Sequence, residues 1–395
     1  MEPPPRGVAP IENTLELGWG RRPLSIPLPA GAHIVRAPSP PPSVSWAGAV
    51  ERALAAPIGS SPLELIIAAA RRVTVLVPDD TRKNVARALL PLVLPRLAGV
   101  EVSIGVATGK HPPCSGPPGA WIHAATDPLL VPVGTTRRGT PVSYPRAVLE
   151  ADLRIVLGEI RPHYFAGYAG GAKGLFPGVA GEEGIWTNHQ LKAAPGARLG
   201  VVDGNPCRAD MEEAAGLAGP SFLLNIIRGP DGHPVDAVAG DLVAAHREGV
   251  RRARSVFEVP VAHRTGVVLI SDREPVTMDL YQACKLLPVA GAVLADGGTV
   301  ILAAECAHGL GAVPVINEKI YRLGSVHSLP RHHRVTLVTS RPEREVKMTF
   351  AQYAPSISAA LAGVDPKDLT VIPYGGDLVP TRRGNVDQVI PGCTP

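Results

Sequence analysis

The sequence predicts an α/β protein built from two α/β domains with largely parallel sheets. Three observations predict it. Short, near-continuous apolar runs rich in β-branched residues recur along the chain, as at 73–77 and 267–270, and such runs are strands buried on both faces. Helical patterns fill the intervals between them, the alternation expected of parallel sheets. The chain has 395 residues, 45% apolar and 19% charged. That is too apolar for disorder and long enough for two or three domains at about 150 residues each.

Residues 1–62 hold 13 prolines and little periodicity, which predicts an irregular lead-in with short strands. A strand at 73–77 is followed by a helix at 85–97, interrupted by Pro91 and Pro95, and a strand at 102–107. Further strands are expected at 153–157, 198–202, 222–227, 267–270, 300–304, 335–339 and 369–373. Helices are expected at 183–193, 208–216, 241–257, 278–294 and 316–323. The polar stretch Ser271-Asp272-Arg273-Glu274-Pro275 helps place a domain boundary within 258–275, giving domains of 1–265 and 266–395. Ligands of open parallel sheets bind beyond the carboxyl ends of the strands. That rule selects residues 78–84, 108–115 and 161–173.

Composition excludes several function classes. Net charge is only +4, and the 31 arginines and 8 lysines are dispersed rather than gathered in one stripe with aromatics, so no nucleic-acid partner is expected. No apolar run reaches the ~18–20 residues of a membrane helix. The N-terminus lacks the apolar stretch of a signal peptide, so a cytoplasmic location is expected. Five scattered cysteines without a CxxC pair predict free thiols rather than a zinc knuckle or disulfide framework.

Chemistry concentrates in residues 163–189, which open His163-Tyr164-Phe165 and close Asn188-His189. These 27 residues carry 7 of the 42 glycines and 5 of the 16 aromatics. Glycines such as Gly170 and Gly171 let a backbone approach a ligand closely. Aromatics give a flat apolar wall, into which Lys173 and two histidines are set. Residue types leave the role of Lys173 open. Ala172-Lys173-Gly174 lacks the Gly-Lys-Ser/Thr of a phosphate-binding loop. A desolvated lysine can carry a Schiff base to pyridoxal phosphate, and a purely structural glycine-rich loop needs no ligand at all.

Other segments are less specific. Asp79-Asp80-Thr81-Arg82 can hold an anion with the Arg82 fork or simply cap a helix. His111 lies at a strand end in Thr108-Gly109-Lys110-His111. Tyr281 and Lys285 share a helix face, four residues apart. Gly309-Leu310-Gly311 half-matches a dinucleotide fingerprint, but Pro314 replaces the last glycine.

Taken together, Asp79-x-Thr81-Arg82, Gly109-x-His111, the 163–189 block, Asp203-Gly204-Asn205-Pro206 and Tyr281-Gln282-x-x-Lys285 resemble the nickel-dependent lactate racemase family. Order and spacing fit from residue 73 to about 312, with ten residues from His163 to Lys173 and sixteen from Lys173 to His189. The resemblance implies a cofactor cleft between the two domains. It also implies a nickel-pincer nucleotide, a pyridinium nucleotide with two sulfur-bearing substituents, joined covalently to Lys173. Nickel would be held by that cofactor and by His189, soft sulfur and imidazole suiting the ion. His111 and His163 match the acid/base pair. Asp79, Thr81, Gly170 and Gly171 fall at cofactor-binding positions, and Arg82, Tyr281, Gln282 and Lys285 at substrate-binding ones.

The implied reaction is racemisation or epimerisation of a small 2-hydroxy acid. One histidine takes the hydroxyl proton while a hydride passes from C2 to the cofactor; the planar keto acid turns, receives the hydride on its other face, and the other histidine returns the proton. Histidine suits the proton step because its pKa lies near neutrality. The implied partners are the substrate and the machinery that makes the cofactor; the oligomeric state stays open. The chain departs from the family around His111, with Lys110 before it and Pro112 after it. Lys110 would suit a second carboxylate, extending the substrate from lactate to malate. The residues alone also allow a pyridoxal-phosphate or nicotinamide-dependent enzyme, or a homologue that binds without catalysis.

Overall fold

The computed structural model describes residues 14–79, 84–111 and 114–382. It divides into two compact units. One spans 37–258; the other is built from segments 14–36 and 259–382. The expected lead-in is therefore split, and residues 14–36 go with the later segment rather than with the first domain. The reason is burial. Thr14–Leu17 and Leu24–Pro27 form a hairpin whose Leu15, Leu17 and Ile26 share a core with Leu269, Ile301 and Val371.

In the 37–258 unit six strands form one sheet: β1 (Arg72–Pro78), β2 (Glu101–Ala107), β3 (Trp121–Ile122), β4 (Leu153–Ile160), β5 (Ser221–Arg228) and β6 (Pro234–Asp241). Their order is β6-β5-β4-β1-β2-β3, parallel except for the β5–β6 pair. Val73, Val75 and Val77 face helices α1 (Trp46–Ala55) and α2 (Val85–Val93). Leu76, Val156 and Leu223 face the other way, onto Phe165, Leu175 and Phe176. Both faces are covered, which is why β1 and β4 are apolar almost throughout. The chain runs from β1 to β3 towards one edge, then returns to lay β4 on the other side of β1. The order reverses between β1 and β4, and such a switch point is where these sheets bind ligands. Asp79 follows β1, residues 108–111 follow β2, and residues 161–163 follow β4.

The other unit holds a second six-stranded sheet. Its strands are β7 (Thr265–Ser271), β8 (Leu294–Ala303), β9 (Arg334–Val338), β10 (Gln352–Ala354) and β11 (Leu369–Ile372), in the order β10-β9-β8-β7-β11, with His33–Ile34 beside β11. All neighbours are parallel. No helix among the described residues is long and apolar enough to cross a membrane.

Two expected elements differ, and others were not expected. Residues 198–202 are turns, because Gly196 and Gly200 take φ of 90° and 76° and Gly200 donates to the Gly167 carbonyl at 3.1 Å. The β6 strand was not expected. Its signal is the Pro230-Asp231-Gly232 turn before it, where Gly232 sits at φ 81° and Asp231 accepts from the His233 amide at 3.0 Å. The expected 278–294 helix is three short pieces, Leu280–Ala283, Cys284–Leu286 and Leu287–Val293, with Pro288 unable to continue an α-helical ladder. The lead-in contains α1, capped by Ser45, whose Oγ accepts from the Gly48 amide at 3.0 Å.

Candidate active site

Beyond β4 the chain forms a small hairpin, Pro162–His163 against Gly167–Tyr168. Its backbone is gripped by α4 (Pro206–Gly216). The Arg208 guanidinium is fully buried and donates to the carbonyls of Ala166 at 3.4 Å, Gly170 at 3.2 Å and Tyr168. Burial pulls its pKa down to about 10. Asn205 caps α4 by accepting from the Arg208 amide, and donates to the Phe165 carbonyl at 2.8 Å. That is the structural task of the Asp203–Pro206 motif, with Pro206 at the helix start, where no N–H is needed. Gly170 and Gly171 hold φ of 80° and 61°. A Cβ on Gly170 would run into Asn225 Oδ1, and one on Gly171 would lie 2.6 Å from the His246 ring. The protein's own packing thus requires glycine at both positions.

Phe165 is the hub of the candidate groups. His163 is edge-on to its ring at 4.6 Å and His189 at 5.1 Å, and Lys173 Nζ stands 5.7 Å from its centroid. Three candidates from the sequence therefore surround one buried phenyl. His189 lies on α3 (Glu182–Gln190). Its neighbour Asn188 anchors that helix, donating to Asp210 Oδ2 at 2.8 Å and to the Cys207 carbonyl at 3.1 Å. Asp210 also accepts from the Thr136 and Thr140 hydroxyls.

His189 Nδ1 is buried without a hydrogen-bond partner among the described residues. Burial first, then the charges of Lys192, Lys173 and Lys110, hold this imidazole well below its usual pKa; the Ile185 carbonyl one turn back opposes them only weakly. A neutral imidazole is the form that binds a transition metal. No group of three or more His, Cys, Asp or Glu side chains among the described residues is placed to hold a metal ion. The donor set fits a metal whose other ligands come from a bound cofactor.

β1 and β2 are neighbours, with Pro78 opposite Ala107, so the segments beyond them meet. Asp79 Oδ2 and His111 Nδ1 are 2.5 Å apart, the carboxylate 6% exposed and the imidazole 52%. A carboxylate on Nδ1 leaves Nε2 as the basic nitrogen and stabilises the imidazolium once formed. His163 is set the other way. Its Nδ1 accepts the Ala166 amide at 3.2 Å, so its neutral ring carries hydrogen on Nε2. The His111 turn is tied to the 163–189 block. Gly109 donates to the Gly178 carbonyl at 2.9 Å. Lys110 pairs with Glu182 at 2.9 Å and lies 3.8 Å from the Trp186 ring centroid. That ion pair holds the Glu182 carboxyl below its ordinary range.

Thr81 and Arg82 lie outside the described residues. Tyr281, Gln282 and Lys285 belong to the other unit. There Asp279 caps the Gln282 amide at 2.7 Å, Lys285 Nζ donates to Gln282 Oε1, and that ammonium stands 5.5 Å from the Tyr281 ring centroid.

Lys192 was not anticipated. It is 7% exposed, with Nζ 4.8 Å from the Phe165 centroid and 5.7 Å from that of Tyr164. Burial pulls its pKa down to about 8. A desolvated cation over a ring gains about 2 kcal/mol or somewhat more, which only partly offsets the several kcal/mol an ammonium loses on leaving water. Nothing in the sequence separates this lysine from a solvated one at a helix end.

Residues 17–115 and 120–200 match the family described as the lactate racemase N-terminal domain. Over 324 residues, 75% of each chain, the protein is 30% identical to a lactate racemase of Thermoanaerobacterium thermosaccharolyticum. The chain belongs to the lactate racemase family. A lactate racemase of Lactiplantibacillus plantarum is likewise 30% identical over 282 residues, 66% of each chain. The fold agrees with the family too. The lactate racemase apoprotein structure from T. thermosaccharolyticum matches with a TM-score of 0.86 at 26% identity, covering 93% of this chain and 100% of that one.

Proposed function

We propose that this member of the lactate racemase family is an isomerase that interconverts the enantiomers of a small 2-hydroxy acid, lactate first. It would use a nickel-pincer nucleotide attached to Lys173, with nickel bound by His189. The observation that carries the reading is the gathering of His163, Lys173 and His189 around Phe165. The neutral His189, whose Nδ1 has no hydrogen-bond partner among the described residues, and the adjacent amine of Lys173 fit such a group. When bound, it supplies a site that takes a hydride from C2 and gives it back. The machinery that makes the cofactor is then a necessary partner, in the cytoplasm.

The chain's own residues do the rest. His111 takes the hydroxyl proton at Nε2, and Asp79 balances the imidazolium charge. On the other face of the substrate carbon a doubly protonated His163 gives a proton to the substrate oxygen from Nε2 and is left neutral. To carry a second proton, its Nδ1 must release the Ala166 amide, at a cost of about 1 kcal/mol for one hydrogen bond. The buried Phe165 ring gives the site an apolar wall that keeps water from the keto acid. The roles of Arg82, Tyr281, Gln282 and Lys285 towards the substrate rest on the family resemblance.

Lys110 does not favour malate, because Glu182 and the Trp186 face already engage its ammonium. Cofactor-loaded protein in a chiral assay is therefore expected to racemise lactate faster than malate. Lys110→Ala should leave the lactate-to-malate ratio within about fivefold, since an exposed ion pair is worth under about 1 kcal/mol. A preference for malate that vanishes in the variant would restore Lys110 as a carboxylate-binding residue.

A further inference from the structure

We propose that Lys192 is a further cofactor-binding residue, its ammonium pairing with an anionic group of the pyridinium nucleotide attached at Lys173. The inference rests on the function proposed above. Lys192 is 7% exposed, and its three N–H donors make no hydrogen bond or ion pair with any described residue. The groups against it are the faces of Phe165 and Tyr164, which do not repay the loss of water. The same Phe165 ring carries Lys173 at 5.7 Å and His189 at 5.1 Å, so Lys192 stands among the groups that would hold the cofactor.

Among the described residues no side chain supplies a counter-charge there. Asp210 is committed to Thr136, Thr140 and Asn188, and Glu182 to Lys110. Cys207 is fully buried and stays a neutral thiol. The anion is therefore one that the described residues do not provide, as a bound nucleotide would. A pyridinium nucleotide offers two, its phosphate and an acidic substituent on the ring, and either would satisfy the ammonium by a charge-assisted hydrogen bond.

The test is calorimetric titration of the full-length apoprotein with nicotinate mononucleotide, which has phosphate and ring carboxylate, and with nicotinamide mononucleotide, which has phosphate only. Lys192→Met keeps the side chain's length and its packing on Phe165. It should weaken nicotinate mononucleotide about ten- to hundredfold without lowering the melting temperature, and Lys192→Arg should restore most of the loss. Equal weakening of the amide nucleotide assigns the phosphate; an unchanged affinity for it assigns the ring acid. Wild-type affinity of Lys192→Met for both nucleotides overturns the proposal, and a loss of lactate binding alone would reassign the ammonium to the substrate. Failure of the wild type to bind either nucleotide would remove the proposed function and this inference together. A loaded Lys192→Met protein with wild-type cofactor attachment would leave the function standing and remove only the inference.

Discussion

Lys173→Ala is expected to abolish both covalent cofactor attachment and racemisation while leaving the fold intact. Lys173 is half-buried on the short Gly171–Gly174 turn, with Nζ over Phe165. Nothing else in that turn offers a nucleophilic nitrogen. Intact mass should show a stable increment on wild-type protein loaded with cofactor and none on the variant. The rate should fall to background, beyond the ~10²–10⁴ that one acid/base group contributes, because the hydride acceptor itself is gone. Wild-type activity in the variant would contradict the attachment. A borohydride-trappable imine on Lys173, in place of the stable increment, would point to pyridoxal phosphate.

The second large effect is expected from Asp79→Asn. The 2.5 Å contact between Asp79 and His111 sets the tautomer and stabilises the imidazolium. An amide can present an N–H to Nδ1, which moves the hydrogen to Nε2 and removes the base. We expect kcat to fall by ~10²–10⁴ with little change in KM, since Asp79 acts through His111. The equilibrium constant of a racemisation is one, so kcat/KM must fall equally for both enantiomers. Unchanged kcat would remove Asp79 from the proton step.

Much of the architecture was legible in the sequence. Buried parallel strands are apolar throughout, so β1, β2, β5 and β7 lie where the runs at 73–77, 102–107, 222–227 and 267–270 place them. Antiparallel β6 was not, because Asp236 and Asp241 interrupt and end it and its signal is a turn rather than an apolar run. The candidate site was legible where rare residue types cluster, as His163, Lys173 and His189 do within 27 residues. Arg208, Asn225 and His246 were not. They come from α4, β5 and the helix Ala244–Phe257, distant in sequence, and these residue types are more often at the surface than in a core. Only the fold turns them inward to hold the carbonyls and amides of the block. The glycines were legible only in part. Their clustering was visible, but the packing of Asn225 and His246 against Gly170 and Gly171 was not.

The central claim is that C2 gives up a hydride and takes the same one back. The most direct test is racemisation, by cofactor-loaded protein in ordinary water, of L-lactate carrying deuterium at C2. Proton NMR of the product, resolved by enantiomer, reads the label. The account predicts deuterium retained at C2 of both enantiomers throughout the approach to the racemate. Loss of deuterium to water in step with racemisation would mean that C2 is deprotonated, and would contradict it.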